Sequence, residues 1–155
     1  MINKVIKRFA ILATVFYGIS LFVELVSCFV LQDKIMEIFM AVKSDVRVID
    51  YIGIAMAIIT FMVMLLLSII VCNSESVDTA WVIALIIAIF MGVITLISPF
   101  VNAISTRIAF NMGGEMYIST YSALTAFTSY VRTPFTFMGL LFFGMCFGAI
   151  CHAKQ

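Results

Sequence analysis

One carboxylate interrupts the first long apolar run of this chain. Glu24 lies within Phe9 to Leu31, and Tyr17, Ser20 and Ser27 recur at helical spacing from it, with Cys28 next to the last. On an α-helix these positions share one face, so Tyr17, Ser20, Glu24 and Ser27 form a polar stripe in an otherwise apolar element. An acid at the centre of a membrane helix costs about 2.5 to 3.5 kcal/mol on insertion scales, and such a residue is the first place to look for function. Two roles are open to it. The stripe can bind an ion or pass a proton, with Glu24, Tyr17, Ser20 and Ser27 as the site. Alternatively Glu24 is structural, either protonated and donating to a neighbouring helix or paired with Arg107 or Arg132.

Other reactive groups are few. The cysteines are Cys28, Cys72, Cys146 and Cys151, without a CxxC pair, and the single histidine is His152. Cys72, Cys151 and His152 belong at one membrane face, but their spacing is not that of a known metal site, and buried cysteines as small apolar residues are the simpler expectation. No GxSxG elbow, phosphate-cradling glycine loop or pair of carboxylates within the apolar runs is present. Acyl transfer, nucleotide hydrolysis and two-carboxylate chemistry therefore have nothing to work with, and no enzyme, metal or cofactor is expected. Nine Lys and Arg against eight Asp and Glu leave a net charge of +1, too little to attract nucleic acid.

The elements that must position Glu24 follow from composition. Of 155 residues, 65% are apolar and 11% charged. Soluble chains average roughly 45 to 50% apolar and about 25% charged, so much of this surface must face lipid. A bilayer core of roughly 30 Å needs about 20 helical residues, and helices satisfy their own backbone there. Spans are expected at about 9–31, 51–72, 80–101 and 134–151, forming an all-α integral membrane domain over 1–155, a four-helix transmembrane bundle. No sustained period-2 alternation argues for a barrel. With hydrocarbon beginning near Phe9, Glu24 lies about 22 Å along the slab, nearer the far surface than the centre.

Two connections carry further pattern. Between Gln32 and Asp50, Ile35, Ile38, Phe39 and Val42 share a helical face opposite Lys34, Glu37 and Ser44, which predicts a short amphipathic helix in the first loop. The long loop 102–133 is broken by Gly113 and Gly114, after which Tyr117, Tyr121, Leu124, Phe127 and Val131 recur at helical spacing. A partly helical segment folding over the bundle end is expected, as a packed cap or a lid, since a structureless loop of that length is unusual. The first run is longer than a signal-peptide core, and Glu24 spoils the lipoprotein-like Leu25–Cys28 box, so the run is expected to remain as a span. The leading Lys4, Lys7 and Arg8 favour both termini in the cytoplasm, in the plasma membrane of a bacterium.

Small residues recur every four positions in the spans. Ala80, Ala84, Ala88 and Gly92 form a ridge in the third, Gly144 and Gly148 a shorter one in the fourth, with Ala10, Thr14 and Gly18 in the first and Gly53 and Ala57 in the second. Helices associate in lipid through such close-approach faces and through buried hydrogen bonds. The leading reading is a small accessory, regulatory or immunity-type subunit that packs against a membrane partner, another protein or a second copy. The alternative is an oligomeric ion channel or small-solute transporter using Glu24.

Overall fold

The computed structural model describes residues 2–31, 47–113 and 115–155. The expected amphipathic helix of the first loop falls mostly on 32–46, outside the described residues. Four long helices follow in order: α1 (Lys4–Val26), extended by a π-helical turn over Ser27–Leu31, α2 (Arg47–Asn73), α3 (Val77–Gly113) and α4 (Glu115–Lys154). Among the described residues, the stretches apolar and long enough to cross a membrane are Lys4–Phe29, Gly53–Asn73, Val77–Val101 and Thr128–Lys154. They overlap the four expected spans, with the first beginning at Lys4 rather than Phe9 and the fourth at Thr128 rather than Pro134.

Helix α1 is the hub. It packs along α2 and α4, while α3 packs mainly on α4 and less on α2. Both of its interfaces are antiparallel and keep register over their length. Towards α2, Lys7 donates to the Cys72 carbonyl, the Thr14 hydroxyl lies 2.9 Å from the Met64 carbonyl, and a Cβ on Gly18 would stand 3.1 Å from the Phe61 ring. Towards α4, the Cys146 thiol donates to the Ile6 carbonyl at 3.7 Å, and Phe16 stacks on Phe142 with centroids 5.5 Å apart. At the terminal end of the bundle, Lys154 sits over the Trp81 ring at 4.3 Å and 3.5 Å from Asp78, joining α4 to the start of α3.

Because apolar burial gives little net drive between helices in lipid, close packing and these polar contacts hold the bundle together. Ala10, Ala13, Met64, Leu67, Val71, Ala80, Ala84 and Ile150 are fully buried. Phe22, Ile89, Leu96 and Phe100 point outwards, as lipid-facing residues must. Thr14→Val, which removes the hydroxyl at the α1–α2 contact, is expected to cost about 1 kcal/mol, the scale of interhelical hydrogen bonds in membrane proteins. Reversible unfolding in mixed micelles measures it, and Thr14→Ser should restore most of the loss.

The segment 102–133 corrects one expectation. Instead of a separate cap folded over the bundle end, α3 continues to Gly113 and α4 begins at Glu115, so both helices run on past their spans. No strong breaker lies between Val101 and Met112, so α3 continues through to Gly113. Pro99 and Pro134 lie inside α3 and α4 without ending them. Membrane helices tolerate proline where neighbouring groups relieve the backbone.

Candidate functional site

The polar stripe of α1 meets α4 at its far end, away from the termini. Glu24 is 7% exposed, and its Oε2 accepts from Arg132 Nη1 at 2.6 Å. Arg132 Nε donates to Ser20 Oγ at 3.1 Å, and Ser20 Oγ lies 2.8 Å from Thr136 Oγ1. Thr136 in turn lies 3.3 Å from the Arg132 carbonyl oxygen, closing the network on its own helix. Arg132, Thr136 and Gly139 follow at steps of four and three on one face of α4, matching Glu24, Ser20 and Tyr17 read backwards along α1.

Depth explains why the pair is sustainable. At about 1.5 Å per residue, Arg132 is about 6 Å and Glu24 about 8 Å from the span ends at Thr128 and Phe29. Both charges sit just inside the apolar layer, where the long arginine stem can reach towards the head groups. The Arg132 side chain is 32% exposed and that of Glu24 10%, so the arginine is the outer partner and the carboxylate the buried one. A Cβ on Gly53 would approach Glu24 Oε1 to 3.0 Å, which shows how closely α2 backs the carboxylate.

Of the expected site residues, the structure brings Glu24 and Ser20 together through Arg132. Tyr17 is buried one step further in, its ring lying against Gly139, where a Cβ would come within 2.9 Å. Ser27 is buried beyond Glu24, while the side-chain acceptors of Arg132 are Ser20 and Glu24. Of the two arginines considered as partners, it is Arg132 that pairs, and Arg107 lies exposed on the α3 extension. Thr136 and Gly139 were not foreseen. Their signal was their spacing from Arg132, legible only once Arg132 is placed on the same helix as the fourth span.

The small-residue positions divide. Ala80 and Ala84 are fully buried in the bundle and Ala88 packs against its core. Gly92, Gly144 and Gly148 are exposed, and a Cβ built on any of them meets nothing within 4 Å. Within one chain, then, the ridge on α3 is used over its first three positions, and Gly144 and Gly148 of α4 face outwards. They lie on a continuous exposed strip with Phe137, Leu141 and Met145.

A cleft of about 380 Å³ opens beside the ion pair, walled by all four helices and including Tyr17, Ser20, Thr60, Ser98 and Arg132. A second hollow of about 300 Å³ lies on the outer side of α4 and shares Arg132, Thr136 and Leu140 with it. No protein-family model, curated protein or solved structure matches the chain. Fold and site together define it as a small integral membrane protein, a four-helix bundle with a Glu–Arg pair, its carboxylate buried, near one membrane face.

Proposed function

We propose that this chain is a non-catalytic accessory or regulatory subunit, of the immunity-factor kind, that acts by packing its α4 glycine strip against a helix of another membrane protein. The observation carrying this reading is the open space over Gly144 and Gly148. A partner backbone can approach closely there, where a side chain would hold it away, and such approach is the main source of helix association in lipid. An ion or proton route through Glu24, the other reading, would have to break the Arg132 pair before the carboxylate could serve. The leading bases support both termini in the cytoplasm, in a bacterial plasma membrane.

Photo-cross-linking in the native membrane tests this. A benzophenone side chain at Leu141 or Met145 should yield one discrete protein adduct, absent when it is placed at Ile11, which is exposed on α1. Combining it with Gly144→Leu and Gly148→Leu should abolish that adduct while the protein remains folded. Adducts only with lipid from both positions would overturn the reading. So would ion or proton flux in proteoliposomes that disappears in Glu24→Gln.

A further inference from the structure

The cleft beside the ion pair includes no residue of the exposed α4 strip, and it has the build of a ligand site. Binding pockets are commonly about 300 to 1,000 Å³, mostly apolar, with a few placed polar groups. This one is about 380 Å³, with Met91, Ile94 and Leu140 in its walls beside the polar residues. Three features indicate what it would hold. First, Arg132 uses Nε on Ser20 and Nη1 on Glu24, which leaves the Nη2 donors of its fork uncommitted. Arg132 lines the cleft and Glu24 does not.

Second, Tyr17 lines the same cleft, is 4% exposed, and its hydroxyl is buried without a hydrogen-bond partner. A buried unsatisfied hydroxyl costs about 1 to 3 kcal/mol, so an acceptor arriving near it is favoured. Third, the cleft runs from Arg132, just inside the far membrane face, towards Met91 and Leu140 deeper in the span, and at Arg132 it adjoins the outer hollow of α4. An entrant thus meets the arginine just inside the apolar layer and an apolar wall below it.

We infer that the cleft binds an amphiphile with an acidic head group, a phosphate or carboxylate held on Arg132, whose body carries a hydrogen-bond acceptor to meet Tyr17 and an alkyl chain to lie along Ile94 and Leu140. A monoacyl glycerophosphate, with its phosphate and ester carbonyl, has each of these parts. The site stands whether or not the glycine strip of α4 has a partner.

The test is equilibrium binding of radiolabelled oleoyl lysophosphatidate to the full chain in phosphatidylcholine nanodiscs. Binding should be saturable and roughly tenfold tighter than that of oleoyl lysophosphatidylcholine, whose head is capped by a cation, in keeping with the strength of charge-assisted hydrogen bonds. Oleate should bind between the two, having the charge without the second acceptor. Because loss of Arg132 alone endangers folding, the charge is removed as the pair, Glu24→Gln with Arg132→Gln, which should weaken lysophosphatidate roughly tenfold. Tyr17→Phe, which keeps the ring, should weaken lysophosphatidate about threefold and leave oleate unchanged. Equal binding of lysophosphatidylcholine, or unchanged binding in both variants, would overturn the inference. Full competition by inorganic phosphate would also overturn it, since the site would then be one for a free anion.

Discussion

Arg132→Ala is expected to destabilise the protein by about 3 to 5 kcal/mol, the cost of breaking a buried ion pair from one side. The carboxylate left behind is the buried member, with only 10% of its side chain exposed and Gly53 closing over it. It must then be protonated, hydrated through a defect, or expelled, each at the expense of packing between α1, α2 and α4. The reverse change, Glu24→Gln, should cost distinctly less, because the guanidinium is nearer the membrane face and can extend outwards on its apolar stem. Glu24→Gln combined with Arg132→Gln should recover most of the loss, since no uncompensated charge remains and Ser20 keeps Thr136 as partner. Unfolding of the three variants by SDS in mixed micelles measures this as a double-mutant cycle. An Arg132→Ala protein as stable as the parent would mean that the pair contributes nothing to the fold.

That asymmetry also shows what a reader of the residues can and cannot see. The four spans were legible because lipid imposes one rule on every residue of a span, apolarity over about 20 positions, and the rule is written contiguously. The polar stripe was legible for a similar reason: Tyr17, Ser20 and Glu24 lie on one helix at fixed steps, and all three are buried. What pairs with them is a relation between helices far apart in sequence, and nothing local to α1 chooses Arg132 over Arg107. Their difference is depth. Arg132 falls inside the fourth span once α4 is known to start at Glu115, whereas Arg107 lies beyond the end of the third at Val101. Starting the fourth span at Pro134, where the charge-free apolar run begins, leaves Arg132 in a loop. An arginine just inside the apolar layer falls outside any charge-free run, and bounding the spans by such runs likewise leaves the continuations of α3 and α4 as one long connection.

Small residues test the remaining ambiguity, and Gly139→Leu is expected to destabilise the isolated chain by about 3 kcal/mol, at the upper end of overpacking costs. A Cβ alone at this position would lie 2.9 Å from the Tyr17 ring and 3.5 Å from the Ala13 carbonyl oxygen. The backbone of Ala13 belongs to the buried face of α1 and the ring is 4% exposed, so neither retreats without moving α1 from α4. Tyr17→Ala, which empties the space, should by itself cost about 3 kcal/mol or more as a cavity. Joined to Gly139→Leu it should cost less than the sum of the two, by about 1 kcal/mol or more, because the leucine fills what the tyrosine leaves. Strict additivity would mean that the two residues do not touch. Gly144→Leu and Gly148→Leu are the comparison: with nothing within 4 Å of either Cβ, they should leave the monomer's unfolding unchanged. One helix thus carries two kinds of glycine that look alike in sequence, one closing the α1–α4 seam and two left open. Only substitutions at the open pair should separate the folded chain from a partner without unfolding it.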